Sequence, residues 1–318
     1  MKKQKGVSRL STIGMDRAKW LEVRRQSVGG SEASAIVGLS EWESPMSVWA
    51  EKLGKLEEKP ETEAMRMGKD LEKYVADRWC EETGKRVERV NAILYNEQYP
   101  FAHANIDRWV IGESAGLECK TTSTLNVRQF QGVEFPEQYY AQCVHYMAVT
   151  GAERWYLCVM VYGKGVFCYT LEREQAEIDA LMEAEREFWG YVESGTTPPV
   201  DGAKVTGETL QTIYRETVNS EVDLLGREGL LMERQELKEQ QKALEARIGE
   251  IENTIKLDLG ESERGTCPGF RVIWKPQERK TFQAARFAKD HPNIDLTSYY
   301  KVTSSRPFTI KTEEKEAV

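Results

Sequence analysis

Asp107, Glu118 and Lys120 are the residues of this chain whose types and spacing are best suited to chemistry. Glu118-Cys-Lys120 lies in a strand-like run, and a strand sends alternate side chains to one face, so Glu118 and Lys120 share a side that Leu117, Cys119 and Thr121 do not. The preceding run, residues 101–111, alternates Ala102, Ala104, Ile106 and Val110 with His103, Asn105 and Asp107, and Gly112-Glu-Ser-Ala-Gly116 between the runs is a turn signal. The pair reads as a hairpin. Two adjacent carboxylates repel unless a cation sits between them, and such hard oxygen ligands suit Mg²⁺ or Mn²⁺. A lysine held there can orient or deprotonate a water, or stabilise charge developing on a phosphate. Taken alone, a Glu-x-Lys triplet usually reads as an exposed salt bridge, with Asp107 as a turn residue; the elements around it have to decide.

Three such elements follow from the pattern. Residues 61–79 read as a helix ending near Gly84, on which Met65, Gly68, Val75, Ala76 and Trp79 share a face with Glu72. An unpaired carboxylate on an apolar stripe is costly to bury, so Glu72 either turns outward or meets a cation or donor inside, and with Asp107 and Glu118 at hand the metal reading is favoured. Pro136 to Gly151 has proline where a helix starts and glycine where one stops, with Gln142 on the face of Tyr139, Tyr146 and Val149. Its amide needs partners inside, from a structural hydrogen bond or from a phosphate or metal-bound water. Residues 155–161 and 166–171 flank Gly163-Lys-Gly165, a hairpin signal.

The order helix with Glu72, strand with Asp107, strand with Glu118-Cys-Lys120 and helix with Gln142 resembles the PD-(D/E)XK nuclease core. More narrowly, the chain resembles the YqaJ-like viral recombinases related to lambda exonuclease. Trp20-Leu-Glu-Val-Arg24 with Val28-Gly-Gly-Ser-Glu-Ala-Ser34 is similar to that branch's N-terminal motif, and Tyr139-Tyr-Ala-Gln142 to its helix motif. The proline of the superfamily name is absent, with Ile106 before Asp107. The resemblance implies an α/β (α+β) fold, a mixed sheet flanked by helices. It implies that Asp107, Glu118 and the backbone carbonyl of Cys119 bind metal, that Glu72 supports a second ion, and that Lys120 positions the attacking water. It also places Arg24, Ser31 and Gln142 near the terminal or scissile phosphate, although Arg25 is an equal guanidinium by chemistry alone. Ser31 is expected as a helix N-cap, a role compatible with a phosphate site at the same helix terminus.

Composition bounds the picture. The chain has 318 residues, 40% of them hydrophobic, enough for a sizeable core. No apolar run approaches membrane-spanning length and the start lacks a signal-peptide stretch, so a cytoplasmic protein is expected. Six cysteines without a Cys-x-x-Cys pair argue against a zinc ribbon or an iron-sulfur cluster, and the three histidines are scattered, His103 and His145 reading as core or supporting groups. A net charge of -8 is the objection to a DNA-binding enzyme, since binding then needs a local basic surface, with Lys2, Lys3, Lys5, Arg9, Arg24, Arg25, Arg128 and Lys164 as candidates.

Residues 1–192 are expected to form the nuclease domain and 193–207, Pro- and Gly-containing, a linker. Leu230, Leu237, Leu244 and Ile251 then recur every seven residues, with Ile248 and Ile255, so 208–260 reads as a helical, coiled-coil-like arm. Residues 261–318 read as a small α+β module: strands at 270–275 and 306–310, a helix near 282–289. The expected activity is a Mg²⁺-dependent 5′-to-3′ exonuclease on linear duplex DNA, leaving 3′ single strands for a single-strand annealing protein of the RecT or beta type; the resemblance also implies a homo-oligomer, a ring trimer. A PD-(D/E)XK endonuclease and a non-catalytic DNA-end or protein-binding module are the alternatives.

Overall fold

The structure, a computed structural model, describes residues 6–58, 60–132, 134–301 and 306–311. The chain divides into two compact units, Met1–Glu216 and Thr217–Val318. In the first, β1 (Val7–Ser11), α1 (Arg17–Arg25), β2 (Val28–Gly29), α2 (Gly30–Ile36), α3 (Pro45–Lys52) and α4 (Glu63–Thr83) lead into β3 (Val87–Arg89), β4 (Ala92–Asn96), β5 (Ala102–Ala104), β6 (Arg108–Val110) and β7 (Ala115–Thr122). A 3₁₀ turn, Thr124–Phe130, then precedes α5 (Glu137–Thr150), β8 (Arg154–Val161), β9 (Gly165–Glu172), α6 (Gln175–Ser194) and α7 (Lys204–Ile213).

The core is a mixed sheet flanked by helices, the PD-(D/E)XK type of architecture. Its five strands run in the order β3-β6-β7-β8-β9. β7 and β8 are parallel, with Glu118 opposite Leu157 and Lys120 opposite Val159, and α5 makes the crossover between them. The remaining neighbours are antiparallel, including the β8–β9 hairpin whose Gly163 and Gly165 take positive φ. α4 packs against β7, β8 and β9, and α5 against β8.

α4 starts at Thr62, whose hydroxyl accepts from Met65 N, and stops at Gly84 in the left-handed conformation, as its caps require. Val75, Ala76 and Trp79 bury against Leu117, Tyr156 and Cys158, but Met65, expected on the same stripe, is exposed. α5 lies so deep that every residue from Ala141 to Thr150 is buried.

Three expectations about elements are corrected. Residues 101–111 do not form one strand: β5 joins a separate four-stranded sheet, β1-β4-β5-β2, while β6 joins the five-stranded one, and Asn105-Ile106-Asp107 is the bend between them. Ser31 is not the N-cap of α2, which is Gly29. The helix α7 begins inside the expected linker and packs on α3, with Thr206 Oγ1 2.8 Å from Ser44 Oγ, so the first unit extends to Glu216.

The second unit contains α8 (Glu228–Leu259), the hairpin β10 (Arg264–Cys267) and β11 (Phe270–Ile273), and α9 (Ala284–Asp290). Residues 306–310 form no strand; they have no ladder partner, and Pro307 lacks the N–H a ladder uses. Among the described residues no helix is long and apolar enough to cross a membrane.

Candidate active site

Strand β7 delivers Glu118 and Lys120 to one face, where Lys120 Nζ lies 2.7 Å from Glu118 Oε1. The same oxygen accepts from Gln142 Nε2 at 2.9 Å, and that amide also donates to Tyr146 OH at 2.8 Å. Gln142 and Tyr146 are one helical turn apart on α5, so the parallel crossover itself brings them over β7. The second oxygen, Glu118 Oε2, is buried with no hydrogen-bond partner.

Asp107 reaches the group from the bend. Its Oδ2 accepts from Cys119 N at 2.8 Å, tying the bend to the edge of β7 just beyond the last β6 pairing at Leu117. One residue's N–H and C=O face the same edge of an extended strand, so the Cys119 carbonyl also faces the side where Asp107 lies. Burial first, then repulsion from Glu118 and Glu72, pushes the Asp107 carboxyl well above the usual carboxylate range. Burial alone would lower Lys120, but the Glu118 and Asp107 carboxylates outweigh it and hold its ammonium above the ordinary lysine value. The ammonium also sits 5.3 Å from the centre of the Tyr139 ring.

Glu72 lines a cavity of about 220 Å³ together with Asp107, Asn105, Ile106 and Trp20. Its carboxylate is paired with the Arg108 guanidinium, which also donates to Asp107 O at 2.7 Å. Glu72 is therefore beside the acids but engaged by Arg108. Among the described residues no group of three or more His, Cys, Asp or Glu side chains stands ready to hold a metal. The donor set is narrower: two carboxylates and a backbone carbonyl, all hard oxygens, with one buried oxygen left over. That chemistry fits a hard divalent cation and gives nothing for a soft one.

A second cluster adjoins the first. Arg24 Nη2 donates to Ser31 Oγ at 3.0 Å, and its guanidinium lies 4.6 Å from the centre of the Trp20 ring. A Cβ on Gly29 would stand 3.0 Å from His103 Nε2 and 3.4 Å from Arg24 Nη2; one on Gly30 would stand 2.5 Å from the Tyr146 ring. Only glycine lets the backbone come this close. Contacts thus run from Arg24 and Gly29 through Gly30 and Tyr146 to Gln142 and Glu118. Arg25, Arg128 and Lys164 are exposed, and Lys2, Lys3 and Lys5 lie outside the described residues.

Several supporting residues escaped the sequence reading. Lys52 is buried on α3 and donates to Arg24 O at 2.8 Å, to Ser27 O at 2.7 Å and to Glu32 Oε1 at 2.8 Å, pinning the α1–β2 connection; Glu32 Oε2 in turn accepts from Gly29 N at 2.8 Å. The signal was a lone lysine in the otherwise apolar run Met46 to Ala50. His145 Nδ1 meets Glu185 Oε1 at 2.8 Å and its Nε2 meets His103 O at 2.8 Å, all fully buried. Glu185 carried no local signal, being one acid among many on α6.

Residues 19–153 match the model of the YqaJ-like viral recombinase domain. Over 303 residues the chain is 35% identical to "Uncharacterized protein YqaJ" of Bacillus subtilis (strain 168), a match covering 93% of this chain and 95% of that one. Among solved structures, an alkaline exonuclease, LHK-Exo, from Laribacter hongkongensis is 20% identical with a TM-score of 0.48, covering 56% of this chain and 93% of that one. A phage related exonuclease from Haemophilus somnus 129PT is 11% identical with a TM-score of 0.42, covering 55% and 99%.

Proposed function

Because the chain belongs to the YqaJ-like viral recombinase family, we propose that it is a divalent-metal-dependent deoxyribonuclease that resects linear duplex DNA from its 5′ ends. The observation that carries this reading is the unpartnered, buried Glu118 Oε2 next to Asp107, whose carboxyl burial and neighbouring acids push upward. Two acids under that strain are a demand for a cation.

Asp107, Glu118 and the Cys119 carbonyl would hold the ion, Mg²⁺ or Mn²⁺ by their hardness. Bound there, a divalent ion neutralises phosphate charge and lowers the pKa of water. Gln142 fixes the orientation of Glu118, leaving Oε2 turned to the ligand side. Lys120 keeps its proton, so it acts by orienting the attacking water and offsetting negative charge on the phosphate rather than as a base. A second ion at Glu72 requires that Arg108 give up its pairing. Arg24 and Ser31 offer a guanidinium and a hydroxyl for a terminal 5′ phosphate, and the 3′ strands produced would pass to a single-strand annealing protein.

Duplexes labelled at either end, incubated with the protein and Mg²⁺ beside closed circular DNA, test the reading. Loss of the 5′ label first with the circle intact is the expected result. Nicking of the circle would point instead to an endonuclease, and no cleavage of either substrate with Mg²⁺ or Mn²⁺ would overturn the enzymatic reading.

A further inference from the structure

Helix α8 runs for 32 residues without burying one side chain. At 1.5 Å per residue it is about 48 Å long, far beyond what an isolated helix of ordinary composition sustains well in water. Leu237, Leu244, Ile248 and Ile251 are 55%, 65%, 56% and 47% exposed, so its apolar stripe faces solvent.

The stripe follows a strict heptad. Leu230, Leu237, Leu244 and Ile251 occupy the d positions, and Arg234, Gln241, Ile248 and Ile255 the a positions. Isoleucine at a with leucine at d favours two parallel strands. The flanks agree with that choice. In a parallel, in-register pair each g residue faces the e residue five places on in the other strand, which sets Glu233 against Lys238 and Arg247 against Glu252, with Gln240 against Glu245 neutral. Arg247 now holds Glu250 within its own helix at 2.6 Å, a mostly exposed pair of the kind that exchanges partners at little cost.

Parallel alignment also sorts the polar seam residues. It places Gln241 against Gln241, two amides that can bond each other, and keeps Leu237, Leu244, Ile248, Ile251 and Ile255 in unmixed apolar layers. The fullest antiparallel overlap would bury Gln241 against Leu244 and Arg234 against Ile251, each polar head without a partner. In the parallel pair Arg234 lies near the start of the seam, where its stem can follow the surface and its guanidinium reach water.

We propose that α8 is a homodimerisation arm in which the occupant of the apolar stripe is α8 of a second copy, wound as a parallel two-stranded coiled coil. Light scattering on the full chain should give particles of two chains. Leu237→Lys combined with Leu244→Lys should give one chain per particle at the same concentration. Glu233→Lys alone should weaken the dimer, and adding Lys238→Glu should restore it; both changes are on exposed positions, so loss of folding does not confuse them. With oxidised glutathione accepting the two electrons, Leu237→Cys should give a disulfide-linked dimer absent from the unsubstituted chain treated alike, because only parallel alignment brings residue 237 to itself. One chain per particle, three chains as in the ring trimer implied by the resemblance, a dimer that survives the double lysine change, or no new crosslink at position 237 would each overturn the proposal.

Discussion

The Gln142 amide fastens one oxygen of Glu118, at 2.9 Å, and the other oxygen is buried with nothing to bond. The asymmetry comes from topology: Glu118 sits on β7, Gln142 on the helix that crosses over to β8, and the helix passes on one side only. Lys120 reaches the oxygen that Gln142 already holds, so its charge adds nothing to the bare one. An unmade hydrogen bond at a buried charged oxygen costs more than a made one contributes. The fold therefore keeps a carboxylate short of partners at the spot where Asp107 also arrives.

Removing either acid should separate activity from stability. Asp107→Asn and Glu118→Gln should abolish metal-dependent cleavage, and Lys120→Ala should slow it by about 10²- to 10³-fold. In chelator at neutral pH, Asp107→Asn should melt above the unsubstituted chain. The sign follows from the raised carboxyl: the folded chain holds this proton more tightly than the unfolded one, so ionised Asp107 is a penalty at neutral pH, relieved as pH falls through its raised value toward about 4. The advantage of the variant should shrink over that descent. Excess Mg²⁺ should stabilise the unsubstituted chain, by about 2.7 kcal/mol at 100 times its dissociation constant, and leave the variants unmoved. A variant that melts lower in chelator at neutral pH would remove the strained-acid account.

Gln142→Leu tests the positioning of Glu118 separately from its presence. The change leaves Tyr146 OH and Glu118 Oε1 each without the amide, at a cost of about 1 to 3 kcal/mol in unfolding free energy. Loss of a group that orients a ligand typically weakens metal binding by about 10- to 100-fold. Activity should therefore recover partly at high Mg²⁺, where that of Glu118→Gln does not. Activity equally dead at all Mg²⁺ concentrations would show that Gln142 does more than orient.

Glu118 and Lys120 could be read from strand alternation because a period of two is local, and Gln142 because proline and glycine bracket its helix. What sequence missed depends on contacts across the chain. Residues 101–111 alternate without interruption, yet the chain changes sheets at Asn105-Ile106-Asp107, a break that only the packing of both sheets defines. Ser31 has the composition of an N-cap, but Gly29 takes that position because Gly30 must lie against Tyr146, more than a hundred residues away. Lys52 shows as a polar residue among apolar ones, while its three acceptors come from α1, the turn after it and α2.

His145 gives the fold a pH dependence of known sign. Burial opposes its charge, but Glu185 outweighs burial and raises its value above the ordinary one. The pair's stabilisation is thus fully present below the unfolded histidine value of about 6.5 and is lost as pH rises through the raised folded value. Between pH 6 and 9 the melting temperature of the unsubstituted chain should fall relative to that of His145→Gln. Parallel curves across that range would show that the pair is neutral and contributes no proton linkage.

Arg24 and Arg25 are adjacent and chemically identical, and the fold treats them differently. Arg24 bonds Ser31 and covers Trp20, and its own carbonyl is gripped by buried Lys52; Arg25 is exposed. If the Arg24 cluster receives a terminal phosphate, a charge-assisted contact favours substrates that carry one. Duplexes with a 5′ phosphate should be degraded faster than the same duplexes with a 5′ hydroxyl. Arg24→Ala should erase most of that difference while leaving the slower rate on the hydroxyl end nearly unchanged, and Arg25→Ala should keep it. Lys52→Met should behave like a milder Arg24→Ala, since it frees the backbone that aims the guanidinium, with a stability loss of about 3 to 5 kcal/mol from unpairing Glu32. Equal rates on both ends in the unsubstituted chain, or an Arg25→Ala variant as impaired as Arg24→Ala, would reduce the cluster to a structural tie between α1 and α2.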